Sequence, residues 1–428
     1  MTKNLRLQSF ALGMCFIGIV FSTCSSRNTE SQRHAGQARQ EEIVLQFWHH
    51  YSAQSPENDT LVTVLIPQFE KENPGITVNA VSHEWANLHD KILISAQSKT
   101  LPDVARLDSA WIPEFHAMNI LMPLDTEVAD FTSTAGNLLE SAMSTARIGG
   151  HYYGLALNTN TKILFYNAQA FAAANIFPPA TMEEFISTAK KLAGKNAAGQ
   201  QVWGYNEPAL SGWNLCPFIW SFGGELTNPE QTSATGYINS AQSIAAIETL
   251  AGLYAQGAIT GWNSGDIPMT DGFGTGRYMM ILEGPWKIAE LAGAYPNFEY
   301  ATAPMPAGKG GSHSVLGGED ISMFNSAHKE AAWRFMQFMT GEFAQTEMAK
   351  CGQIPVNKAA LNNDIVKKAD FAPFIEALAS ARSRPTVAAW NEMDNGLAME
   401  VSAVISGKKD AKTAMNELAR QWDALLRP

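Results

Sequence analysis

Hydrophobic positions change their spacing along this chain, and each change marks an element. An unbroken apolar run over residues 10–21 comes first, followed over residues 25–40 by a polar stretch without hydrophobic periodicity. From Ile43 onward two patterns alternate. Ile43-Val44-Leu45-Gln46-Phe47-Trp48 reads as a buried strand, and Leu61, Val64, Leu65 and Phe69 then recur at helical spacing until Asn73-Pro74-Gly75 stops them. Residues 76–81 predict a second strand, 88–99 a helix, 103–108 a third short strand and 112–119 another helix. Strand and helix in alternation imply βαβ units and a parallel sheet with helices on its faces.

The same character continues. Residues 152–166 are rich in strand formers, and Thr181-Met182-Glu183-Glu184 is a capping box that opens a helix to about residue 192. Ile244, Ile247, Leu250, Leu253 and Tyr254 sit at helical spacing, with Gly257 placed to end that helix. Residues 278–282 predict a strand leading into Gly284-Pro285-Trp286; Trp333, Met336, Gln337 and Met339 predict a helix closed at Gly341.

About 390 residues beyond the polar stretch are too many for one ordinary core and suit two domains. With 46% hydrophobic and 10% aromatic residues the chain is compact and globular. Lys3 and Arg6 precede the first apolar run, so a chain cleaved after it keeps 28 basic against 41 acidic residues, a net charge of −13 without a basic cluster. That balance argues against nucleic acid as a partner.

The apolar run is too short to span a bilayer permanently. Its charged start and the sequence Phe21-Ser22-Thr23-Cys24 resemble a bacterial lipoprotein signal, in which Cys24 becomes the lipidated first residue of the mature chain and residues 25–40 a flexible tether. Phe21 and Thr23 depart from the small residue such signals usually carry before the cysteine, and an ordinary cleaved secretory signal is the alternative. Export would permit one bond between the two remaining cysteines, Cys216 and Cys351, although two free buried thiols are the simpler reading.

Several short motifs carry a wider resemblance. In order they are Phe47-Trp48-His49, Phe69-Glu70-Lys71-Glu72-Asn73-Pro74-Gly75-Ile76, Leu101-Pro102-Asp103-Val104 with Asp108, Tyr153-Gly154-Leu155, Leu164-Phe165-Tyr166-Asn167, the capping box, Gly284-Pro285-Trp286, Gly317-Gly318 and Arg384-Pro385. Together they resemble the extracellular solute-binding proteins of ABC importers, specifically the large sugar-binding family that also includes glycerol-3-phosphate binders. The resemblance implies a two-lobed periplasmic-binding-protein fold, α/β, with mainly parallel sheets flanked by helices and discontinuous lobes. Residues 41–156 and 276–327 would form the first lobe, and 160–272 and 330–428 the second, with hinges near 157–159, 273–275 and 325–329. It also implies a monomer, anchored on the outer side of a membrane, that traps its ligand by hinge closure and delivers it to the permease subunits.

The residues themselves suggest how a sugar would be held. A flat ring covers the apolar C–H face of a pyranose while polar neighbours take its hydroxyls. Trp48, Trp213, Trp286 and Trp390 lie beside turn residues and are candidates, with core packing as the alternative for each. Asp108 sits where the carboxyl end of a parallel strand opens into a crevice and can accept two hydroxyl hydrogen bonds; a helix cap is its alternative role. Glu84 is a parallel case after the second strand. Arg384 offers a fixed fork of donors to hydroxyls or phosphate, with a surface salt bridge as the alternative. Gly317 and Gly318 permit close backbone approach. His49, Asn158 and Gly284 complete the set that the resemblance assigns to the ligand.

Gly272-Phe273-Gly274-Thr275-Gly276 lacks the Lys-Ser/Thr of a phosphate loop, so no nucleotide site is expected. His49 and His50 point to opposite faces of an extended stretch, and no Cys-x-x-Cys or His-Glu-x-x-His occurs, so neither metal nor cofactor is expected. The rival readings are an exported carbohydrate-active enzyme using Glu84 and Asp108 as its carboxylate pair, and a surface adhesin. Among ligands, Asp108 and the aromatic set favour a neutral sugar; Arg384 and the Phe47-Trp48-His49 opening keep a glycerol-3-phosphate or glycerophosphodiester second.

Overall fold

The computed structural model describes residues 42–262, 265–364, 366–367 and 371–427. The first apolar run, Cys24 and the polar stretch after it lie outside these residues. The framework is ten strands: β1 (Ile43–His49), β2 (Ile76–Ser82), β3 (Val104–Asp108), β4 (Leu155–Thr161), β5 (Ile163–Asn167), β6 (Tyr205–Asn206), β7 (Ile259–Thr260), β8 (Met280–Glu283), β9 (Tyr300–Ala303) and β10 (Leu316–Met323). They form two five-stranded sheets, β2-β1-β3-β10-β4 and β7-β6-β8-β5-β9. Helices that matter below are α1 (Trp85–Ser98), α2 (Gly212–Ser221), α3 (Trp286–Ala294), α4 (Lys329–Met339) and α5 (Trp390–Ile405).

Each sheet is buried on both faces, and the sequence shows why. In β3 every residue is buried, with Val104 in one core cluster and Ala105 and Leu107 in another. In β5, Ile163 and Phe165 face one cluster and Leu164 another. Successive residues of a strand point to opposite faces, so near-continuous apolar runs demand cover on both sides. Edge strand β2, mostly half-buried, carries Thr77, Asn79 and Ser82.

Among the described residues the chain passes between the sheets three times: at Lys162, between β4 and β5; in residues 304–315, between β9 and β10; and between Val356, in the core of the first lobe, and Phe371, in that of the second. One strand in each sheet, β10 in the first and β5 in the second, runs against its neighbours. The reason is topological: these two strands start at a crossover, whereas β4 and β9 lead into one. The expected two-lobed, mainly parallel α/β architecture is therefore present.

The division of the chain differs from the expectation. β8 and β9, expected in the first lobe, pair with β5 in the second sheet. Met280, Ile281 and Leu282 are apolar at consecutive positions and need a slot buried on both faces, which the place between β6 and β5 supplies. Conversely α4, expected in the second lobe, covers the first sheet, where Phe335 meets Phe47 and Phe69 edge-on at 5.0 and 5.1 Å. Gly274 ends a short helix packed within the second lobe, and Asn325 follows β10 in the first, so neither marks a crossover. The segment near Asn158 comes within a few residues of the one at Lys162.

Candidate functional site

Because β1, β3 and β4 end at the same edge of the first sheet and β6 and β8 end at the facing edge of the second, polar residues just past these strands converge around the crossovers. The first two crossovers are tied together by one hydroxyl. Ser314 Oγ donates to the Lys162 carbonyl at 2.7 Å and accepts from the Lys162 N–H at 3.1 Å, while Thr161 Oγ1 lies 2.8 Å from it.

Asp108, the last residue of β3, caps the turn that follows, its Oδ1 accepting from the Ala110 N–H at 2.9 Å. The same oxygen is 2.8 Å from Arg384 Nη2, and the indole N–H of Trp85 donates to Oδ2 at 3.3 Å. The capping role of Asp108 is thus realised, and the same carboxylate is paired with Arg384. Arg384 is buried, in a segment that runs beside the second crossover, where Val315 bridges Arg382. Its guanidinium carbon lies 5.9 Å from the centre of the Trp213 ring.

Trp213 stands at the start of α2 and stacks on Trp286, at the start of α3, with ring centres 6.1 Å apart and planes 29° from parallel. Gly317 of β10 faces this pair from the other lobe. A Cβ on Gly317 would lie 2.5 Å from the Trp213 ring and 2.1 Å from Asn160 Oδ1, so only glycine lets the strand come this close. Gly284 serves Trp286 in the same way, since a Cβ there would lie 2.2 Å from the indole. Gly318 follows at φ 155°, and the register of β10 against β4 shifts just beyond it, between Glu319 and Asp320.

Asp108, Arg384, Trp213, Trp286, Gly284 and Gly317 are therefore brought together. The other candidates sit elsewhere. Trp390 is 1% exposed and meets Trp422 edge-on at 6.0 Å in the core of the second lobe, so it is a core residue and not a ligand platform. Helical spacing puts it on one face of α5 with Asp394, whose Oδ1 accepts from the Gly212 N–H at 2.5 Å; together they seat the first turn of the helix carrying Trp213. Burial raises the Asp394 carboxyl to about 6.

His49, the last residue of β1, is buried between Phe47 and Tyr51, and its imidazole is pushed down to about 3 by burial first and by Arg106 and His83 next, which keeps it neutral. Trp48 is half-buried and meets His83 edge-on at 5.1 Å. Glu84 is exposed and precedes α1 without capping it through its side chain. Asn158 lines a cavity of about 10 Å³ with Tyr51, Gln345, Met348 and Gln353, room for about one water.

Sequence reading missed Trp85, Lys162, Glu207 and Arg106. Trp85 follows Glu84 beside a strand end, the criterion that selected other tryptophans. Lys162 is a lone cation inside a run of strand formers, and Glu207 lies one residue past β6. Arg106 is buried beneath Asp108, 3.0 Å from Glu319 and over the Tyr51 ring at 4.2 Å. A further bond joins the lobes, the Asn391 amide donating at 3.0 Å to Glu114 Oε2, which His89 also holds at 2.8 Å.

Cys216 and Cys351 are both free and buried. Among the described residues no cluster of three His, Cys, Asp or Glu side chains could hold a metal ion, and no helix is long and apolar enough to cross a membrane.

Residues 65–373 match the family of bacterial extracellular solute-binding proteins. A putative binding protein of Brucella abortus is 28% identical over 376 residues, which cover 84% of this chain and 88% of the relative. The multiple sugar-binding protein of Streptococcus mutans is 21% identical over 370 residues, 81% of this chain and 83% of the relative. Among solved structures, the GacH receptor of Streptomyces glaucescens, determined unliganded and in complex with acarbose and an acarbose homologue, shares the fold at a TM-score of 0.80 and 23% identity, covering 90% of this chain and 98% of that one.

Proposed function

From the premise that the chain belongs to the bacterial extracellular solute-binding protein family, we propose that it captures a sugar or oligosaccharide between its lobes and delivers it to the permease of an ABC importer. The observation that carries this reading is the meeting of Asp108 and Arg384, from opposite sides of the junction, beside the ring of Trp213. A pyranose needs one apolar surface and several directional hydrogen bonds, and this junction offers both within one residue's reach. The names of the Streptococcus mutans relative and of the acarbose-bound Streptomyces receptor support a carbohydrate.

Phosphate is the weaker choice, because the guanidinium that would take it is already neutralised by Asp108 at 2.8 Å, and that carboxylate repels a second anion. Capture works by differential affinity: a solute bridging both lobes favours the closed form by the contacts that only this form supplies. The protein performs no reaction of its own, acts as a monomer, and is held to the outer side of a membrane through lipidated Cys24.

The test is the thermal midpoint of the purified protein against mono- and disaccharides, oligosaccharides, glycerol 3-phosphate and glycerophosphocholine, after bound solute has been excluded by mass spectrometry. A solute that binds only the folded state raises the midpoint. A rise with sugars supports the reading; a rise with the glycerol phosphates alone, or none at all, overturns it.

A further inference from the structure

Lys162 is the residue at which the chain first crosses from one sheet to the other, and its side chain is 2% exposed. Among the described residues its ammonium has one carboxylate near it, Glu207 Oε1 at 4.0 Å, which is beyond hydrogen-bond reach, and the face of Trp213 at 5.7 Å. An ammonium carries three donors, and leaving them unmade in a desolvated place is costly. Glu207 does not remedy this. It is fully buried, one oxygen accepts from the Tyr205 hydroxyl at 2.5 Å and the other from the Asn214 amide, so neutral donors hold it in place. Burial raises its carboxyl to about 7 in spite of Lys162, which weakens the ion pair further near neutral pH.

The same Trp213 ring that Lys162 faces at 5.7 Å is faced by Arg384 at 5.9 Å. The two cations differ in one respect: Arg384 has a carboxylate at 2.8 Å and Lys162, among the described residues, has no acceptor within bonding distance. We propose that Lys162 is a specificity-determining residue of the solute site, donating to one hydroxyl oxygen of a sugar seated against Trp213. The proposal rests on the sugar-receptor reading and adds the hydrogen bond that the hinge segment itself contributes. Since Lys162 lies on the crossover, that bond also ties solute occupancy to the segment about which the lobes turn.

The experiment is calorimetric titration of the unaltered protein and of Lys162→Met with glucose, galactose, mannose and maltose, then with each monodeoxy derivative of whichever sugar binds. The Met side chain keeps the apolar stem and removes the donors. The expected result is an affinity loss of about 10- to 100-fold in Lys162→Met. It comes with a single deoxy position that weakens binding to the unaltered protein and makes no difference to the variant. Deoxy penalties that are identical in both proteins, whether or not the overall affinity falls, overturn the proposal and make Lys162 structural. If Lys162→Met fails to fold, Lys162→Ala, which also removes every donor, is titrated on the same series, and unchanged penalties at every position again overturn it. Failure of the unaltered protein to bind these sugars or any oligosaccharide overturns the receptor reading instead, and the proposal with it.

Discussion

Arg384 Nη2 lies 2.8 Å from Asp108 Oδ1, and this one bond joins the end of a first-sheet strand to a segment 276 residues further along the chain. Both side chains are buried, so neither charge can exchange its partner for water while the lobes stay together. Removing one member of a buried pair costs about 3–5 kcal/mol as long as the other remains desolvated. The molecule can avoid that cost by opening. Arg384→Ala is therefore expected to shift the solute-free protein toward an open form, read as a larger radius of gyration in solution scattering; an unchanged radius would show that the pair does not hold the lobes together.

Trp213 and Trp390 separate binding from folding. Trp213→Ala should weaken sugar binding tenfold or more, about 2 kcal/mol, with a small change in thermal midpoint. Trp390→Ala removes a fully enclosed ring that packs on Trp422 and should destabilise the protein by about 3–5 kcal/mol. Denaturant unfolding together with titration checks both, and equal stability losses in the two variants would contradict the assignment.

Gly317→Ala forces a methyl group into space already held by Trp213 and Asn160. The lobes must then separate locally, so weaker sugar binding is expected from a protein that remains folded by circular dichroism. Binding at full strength would mean that β10 and Trp213 part anyway when solute enters.

Asp320 supplies a pH dependence. It is fully buried with Thr145 Oγ1 at 3.0 Å, and burial pushes its carboxyl up to about 8. A pKa raised in the folded state gives stability that is complete below the unfolded value of about 4 and is lost as pH climbs through 8. The thermal midpoint should fall on going from pH 5 to pH 9 by an amount worth a few kcal/mol, because a tenfold difference in proton affinity between folded and unfolded chains is worth about 1.4 kcal/mol. Asp320→Asn should flatten that slope, and a parallel fall in both proteins would assign it to other groups.

The alternation of β1, β2 and β3 with helices was legible because each strand is an apolar run closed by a turn signal. The membership of β8 and β9 was not, since an apolar strand announces only that it must be buried and not which sheet will bury it. Trp213 and Trp286 were found by their place beside Ser211-Gly212 and Gly284-Pro285. The same criterion chose Trp390, which the packing of α5 against Trp422 takes into the core. Lys162 could not be found this way: what distinguishes it is the lack of a bonded acceptor among the described residues around it, and that depends on residues distant in sequence.

The position of β10 has a consequence for how the protein can be made. The strand lies between β3 and β4, so the first sheet stays split until a segment beyond residue 315 has been synthesised and has returned to it. Such long-range pairing slows folding and leaves two sheet edges open while the chain waits. A nascent chain that cannot complete its first lobe early remains extended and pliable, the condition in which a polypeptide is most easily threaded through a membrane before it sets.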